Sequence, residues 1–82
     1  MAISFNKLMA LLKSRGISLY KLKSDKVIGT ATLDKIRRNN IGKGISKDGV
    51  KRENIDTASI DAICKYLNCQ PGDIMEYIKE DE

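Results

Sequence analysis

The sequence predicts an all-α fold in which five short helices pack as one compact domain. Three observations predict it. Apolar residues recur at i, i+3, i+4, i+7 in two separate windows, 5–12 and 60–67, the period of a helix with one buried face. Residues that start helices (Ser4, Ser18, Asp56, Pro71) and residues that stop them (Gly16, Asn68) punctuate the chain at helix-length intervals. The composition over 82 residues, 41% apolar and 32% charged, is that of one soluble globular unit.

The first helix opens at Ser4 as N-cap and carries Phe5, Leu8, Met9 and Leu12 on one stripe. It ends near Arg15, because Gly16 can take a left-handed backbone at little steric cost. Ser18 caps a second helix over about 19–25, with Leu19 and Leu22 facing inward. Lys26 to Gly29 is too short for anything but a turn. A third helix follows from Thr30 to Arg38, with Leu33 and Ile36 buried and Lys35 and Arg38 outward.

Periodicity disappears between Asn39 and Asn54, a loop in which Asp48-Gly49 is a turn signal that leaves room for a short hairpin. The fourth helix begins at Asp56 or Thr57, buries Ile60, Ile63, Cys64 and Leu67, and stops at Asn68. Pro71 then opens a fifth helix through Ile74, Met75, Tyr77 and Ile78. Glu80-Asp81-Glu82 is expected to fray. The expected organisation is one domain over 1–82: a helix pair at 18–39, a basic loop at 39–54 and packing helices at 56–78.

Net charge is +4, but it is unevenly divided. Residues 1–52 hold thirteen Lys or Arg against three acids, a net +10; residues 53–82 hold two Lys against eight acids, a net −6. A basic half suits a polyanion through counterion release, although lysines also simply solvate helix faces. No apolar run approaches the roughly 20 residues that span a bilayer, and the start lacks a signal-peptide pattern. The expectation is a cytoplasmic, nucleoid-associated chain with no membrane contact. Cys64 and Cys69, with no histidine in the chain to complete a metal set, are expected to be reduced structural thiols.

Short helices two and three cannot bury their own apolar sides, so helices one, four and five must present helix three outward. A basic helix of two to three turns fits the major groove of DNA, about 12 Å wide. Ile17-Ser18-Leu19-Tyr20-Lys21-Leu22, then Ile28, Leu33 and Ile36, carry the apolar spacing of a known family. With them, the chain resembles the Cro and lambda-repressor-like helix-turn-helix transcriptional regulators, also called the XRE family. Ile55-Asp56-Thr57 and Ile63 through Ile74 are similar to a small-regulator branch found in Firmicutes and their mobile elements. Three positions depart from the family pattern: Lys23 stands where a small residue is usual, Val27 where the turn usually has glycine, and Leu19 where a polar residue opens the second helix.

The resemblance implies a lambda-repressor-like domain that binds double-stranded DNA, at least on DNA as a homodimer, and regulates transcription. It places the start of helix three on base edges, so Gly29, Thr30, Ala31, Thr32, Asp34 and Lys35 become the candidate readers. Threonine can hydrogen-bond or offer a methyl, alanine can meet a thymine methyl, and lysine can reach guanine O6 and N7. Asp34 would accept from cytosine N4 or orient Lys35 or Arg38. The candidate phosphate contacts are Ser18, Lys21, Arg37, Arg38, Asn39, Lys43 and Lys47, with Lys51 and Arg52 adding charge to the loop.

Enzyme readings fare poorly. Gly42-Lys43-Gly44 lacks the upstream glycine and following hydroxyl of a phosphate loop, and no histidine is available as a base. No cofactor, metal or small-molecule ligand is expected. The competing reading is a protein-interaction module, such as an antitoxin or anti-repressor that uses the acidic C-terminal third. RNA binding is disfavoured by one Phe and three Tyr as the only stacking platforms.

Overall fold

The computed structural model describes residues 2–46 and 48–79. Among these, four α-helices carry the architecture: α1 (Asn6–Ser14), α2 (Leu19–Ser24), α3 (Thr30–Arg38) and α4 (Thr57–Leu67). A single 3-10 turn, Pro71–Asp73, follows α4. Two three-residue strands, β1 (Ala2–Ser4) and β2 (Glu76–Ile78), pair antiparallel, with Ile3 opposite Tyr77.

The caps explain most boundaries. Gly16 (φ 67°) and Asn68 (φ 53°) take the left-handed conformation at the ends of α1 and α4, as their types predict. Asn39 (φ 54°) does the same for α3. Ser18 accepts a 3.2 Å bond from the Lys21 amide and starts α2. The bases Lys35, Arg37 and Arg38 lie in the last turn of α3, where they complement the helix dipole.

One core joins the elements. Phe5, Leu8 and Leu12 point into it from α1, Leu22 from α2, Leu33 and Ile36 from α3, and Ile63 and Leu67 from α4. Ile28, Ile41 and Ile74 fill it from the connections. The Leu8 amide donates to the Ile74 carbonyl at 3.1 Å, which ties α1 to the turn after α4.

The expected fifth helix is not formed. Only one 3-10 turn follows Pro71, Ile74 is buried as a single peg, and the chain then extends as β2. The physical reason is a competing partner: Tyr77 and Ile78 favour extended backbone, and β1 supplies a strand for them to pair with. The pairing partner is the segment expected to begin the first helix. Ser4 lies in β1, and α1 begins two residues later, with Ser4 Oγ accepting the Asn6 amide at 3.2 Å.

The 39–54 loop is built rather than slack. Ile41 bridges both Ile3 and Glu53, and Ile45 bridges Lys51 antiparallel. The Ser46 amide donates to Val50 O at 2.9 Å, and Gly49 takes φ 80°, so the hairpin that Asp48-Gly49 allowed is present. Arg52 is buried at the loop's centre, its guanidinium donating to Lys43 O and Ile45 O, both at 3.1 Å. Arg52 therefore leaves the set of loop cations free to meet a polyanion. Glu80, Asp81, Glu82 and Lys47 lie outside the described residues.

Candidate nucleic-acid interface

The sequence from Ser18 to Asn39 folds as two short helices joined by a tight turn. Two amides, Val27 N at 2.8 Å and Ile28 N at 3.3 Å, both donate to Leu22 O and fold the chain back on α2. Lys26 takes the left-handed position of that turn at φ 61°, one residue before the position at which the family resemblance expects glycine. Ile28, 6% exposed, anchors the turn in the core.

Gly29 is the N-cap of α3, and no side chain caps that helix. Its backbone is ordinary extended chain (φ −85°, ψ 173°), and a Cβ built there would meet nothing within 4 Å. The fold thus does not require glycine at this position. Its effect is to leave the first turn of α3, with its uncapped amides and the positive end of its dipole, open to a close-approaching partner.

The six candidate readers are ordered along α3. Gly29, Thr30 and Ala31 are exposed, while Thr32, Asp34 and Lys35 are half-buried. Lys35, outward by its helix position, donates from its Nζ to Asn54 O at 2.9 Å, which draws it toward the loop. Leu33 and Ile36 occupy the buried face, as their spacing predicts.

The phosphate candidates divide more sharply. Arg37 and Lys43 are exposed. Lys21 is exposed and pairs with Asp25 at 3.3 Å. Ser18 spends its hydroxyl on capping α2, and Lys47 lies outside the described residues. Arg38 grips Glu53 with two bonds, Nε at 2.7 Å and the second nitrogen at 2.8 Å. Asn39 serves α1: its Oδ1 accepts the Phe5 amide at 2.8 Å and its Nδ2 donates to Asn6 Oδ1 at 3.0 Å.

Two clefts flank α3. At its start, a cleft of about 510 Å³ is lined by Lys23, Lys26, Gly29, Thr30 and residues at the beginning of α4. At its end, a larger groove of about 960 Å³ runs between α3 and the loop, lined by Lys35, Arg38, Asn40, Lys51 and Glu53 among others. Sequence reasoning missed Lys23 and Lys26 as neighbours of the start of α3, because their place depends on the fold of the turn. It also missed Glu53, whose only signal is that it is the first acid after a basic stretch.

Ion pairing and hydrogen bonding shift several groups. Asp25 is held below the usual carboxylate range by the Tyr66 hydroxyl and then by Lys21. Glu53 is lowered by the Arg38 guanidinium, which is itself raised by Glu53. Asp56 is lowered by the Ser59 hydroxyl. Carboxylates depressed in the folded state contribute stability above their unfolded values, which are 3.8 for Asp25 and Asp56 and 4.5 for Glu53, and lose it as pH falls through the folded values. The thermal midpoint is therefore expected to fall on acidification below about pH 4.5. Glu53→Gln should flatten the upper part of that fall; an unchanged profile would show that the Arg38 pair adds nothing in solution.

A basic helix set outward by a supporting helix and a tight turn defines a helix-turn-helix DNA-binding domain. The model of the Cro/C1-type HTH DNA-binding domain matches residues 7–80, and the chain belongs to that family. An uncharacterised HTH-type transcriptional regulator of Bacillus subtilis strain 168, YozG, is 47% identical over 38 residues. That alignment covers 46% of this chain and 44% of the relative. The crystal structure of transcriptional regulator VanUg, form II, superposes with a TM-score of 0.75 at 32% identity, covering 96% of this chain and 88% of that one. No helix among the described residues is long and apolar enough to cross a membrane.

Proposed function

We propose that the chain is a sequence-specific regulator of transcription that places α3 in the major groove of double-stranded DNA. The observation that carries the reading is the bare start of α3: a glycine with no conformational duty, an uncapped first turn, and exposed Thr30 and Ala31 beside it. Thr30, Ala31 and Thr32 then meet base edges, with Lys35 and Asp34 one turn further along. Arg37, Lys21, Lys43 and the cleft lysines Lys23 and Lys26 meet phosphates, and Ser18 and Asn39 support the elements that carry them. Arg38 joins the phosphate set when DNA competes with Glu53.

The chain acts as a symmetric dimer on half-sites about one helical turn apart. Support for a dimer lies at β2, whose outer edge has no partner strand among the described residues and whose Tyr77 and Ile78 are exposed. A symmetric antiparallel pairing of two copies at this edge would satisfy its unpaired backbone groups. Regulation by occlusion of a promoter follows from occupancy alone, without a small-molecule sensor.

Selection of bound duplexes from a random pool at two salt concentrations tests the reading. The expected product is an inverted repeat whose affinity falls with salt. A pool without a common sequence, or binding indifferent to salt, would instead favour a protein-interaction module. The loop makes a separate contribution. Lys43→Gln and Lys51→Gln are each expected to weaken binding alike for all sequences and to reduce the logarithmic salt slope by about 1. An unchanged slope in both variants would remove the loop from the interface.

A further inference from the structure

Two thiols lie outside the proposed DNA interface. Cys64 and Cys69 bracket the end of α4, where Asn68 reverses the chain in the left-handed conformation. The Cys69 amide donates to Cys64 O at 3.0 Å, and the Asn68 amide to Lys65 O at 3.4 Å. These are the nested outer and inner bonds of a Schellman turn, a motif whose outer residues are frequently in side-chain contact. Here both outer residues are cysteine. Both are half-buried, and both line one surface groove of about 600 Å³ with Ile60, Pro71 and Met75. No group of three or more potential metal ligands occurs among the described residues, so the pair has no third donor with which to hold an ion.

We propose that Cys64 and Cys69 form a peroxide-sensitive dithiol that closes to an intramolecular disulfide. The backbone turn brings the two residues across a single hydrogen bond, the proximity that an intramolecular disulfide requires. Burial pushes the Cys64 thiol up, and the neighbouring Cys69 adds to the shift. In the proposed sequence Cys69 meets the oxidant first and Cys64 resolves the intermediate.

In the first step the Cys69 sulfur attacks one oxygen of hydrogen peroxide. The O–O bond breaks, a sulfenic acid forms, and the displaced hydroxide leaves as water with the thiol proton. In the second step the Cys64 sulfur attacks the Cys69 sulfur. The S–S bond forms, the S–O bond breaks, and the hydroxyl leaves as water with the Cys64 proton. Two thiols and one peroxide yield one disulfide and two waters.

The ring closes at a turn that buttresses the helix pair. Tyr66 donates its hydroxyl to Asp25 at the end of α2 at 2.5 Å, the Arg15 guanidinium donates to Leu67 O, and Leu67 is buried. Oxidation thus adds a covalent tie directly beside these contacts.

The test is peroxide treatment of the reduced full chain, followed by alkylation with iodoacetamide, intact mass and a non-reducing peptide map. The expected result is loss of two hydrogens per chain, no alkylation at either cysteine, one linked peptide containing both, and full reversal by dithiothreitol. Cys64→Ser should halt at the Cys69 sulfenic acid, trapped by dimedone. Both thiols still alkylated after excess peroxide, disulfides between chains, or sulfinic acid on one cysteine of the unmutated chain would each overturn the proposal.

Discussion

Replacing Ile36 with alanine is expected to cost about 2–5 kcal/mol of folding free energy. Ile36 has no exposed surface, and with Leu33 it supplies the buried face of α3. A helix of nine residues is not stable alone, and the buried apolar face that seats α3 on the domain consists of these two side chains. A domain of this size has roughly 5–15 kcal/mol of stability in total. The loss is therefore expected to lower the thermal midpoint by roughly 10 °C or more, at about 4–8 °C per kcal/mol for a small domain. Arg37→Ala, one residue along and exposed, should stay within about 0.5 kcal/mol of the unmutated chain. Urea unfolding of the two variants checks both numbers. A cost below 1 kcal/mol at Ile36 would mean that α3 is not seated as described.

The contrast between Ile36 and Arg37 was legible in the sequence, because a helix repeats every 3.6 residues and Leu33 and Ile36 sit three apart between polar neighbours. The boundaries of α3 were legible for a related reason: glycine before, asparagine after, and bases in the last turn act locally. The strands were not. A three-residue strand is too short to show an alternation, and β1 and β2 stabilise one another across more than seventy residues of intervening chain. Ser4, a good N-cap by type, therefore looks locally like the start of a helix, and the residues around Tyr77 like the continuation of one.

Charge was legible in sum and misleading in detail. Arg52 sits in a lysine-rich loop and by composition reads as one more solvated cation, yet it is 8% exposed and holds the loop's carbonyls. Asn39, a phosphate candidate by the family resemblance, has its amide at the start of α1. Arg38 keeps its exposure, though its fork is matched to Glu53 fifteen residues later. In each case the partner is brought by tertiary structure, which local spacing does not encode. The start of α3 is different: Gly29, Thr30 and Ala31 follow one another exposed on the surface.

That start supports the most discriminating experiment on function, Gly29→Asp. For folding, the change is favourable. An aspartate N-cap is better than glycine by a few tenths of a kcal/mol, and its charge at the positive end of the helix dipole adds about 0.3–1 kcal/mol. The backbone at Gly29 is one that any residue adopts, and a Cβ there meets nothing within 4 Å. For DNA binding, the change is severe. A carboxylate now occupies the anion-receptive end of α3, competes for its amides and repels the phosphate or base edge brought against it. The expected outcome is a protein at least as heat-stable as the original whose affinity for its selected duplex falls 100-fold or more, about 2.7 kcal/mol or more. Thermal unfolding and titration of labelled duplex read the two effects separately. Because stability and binding move in opposite directions, loss of binding cannot be put down to misfolding. Unimpaired binding by a stable Gly29→Asp protein would place the DNA on some surface other than the start of α3.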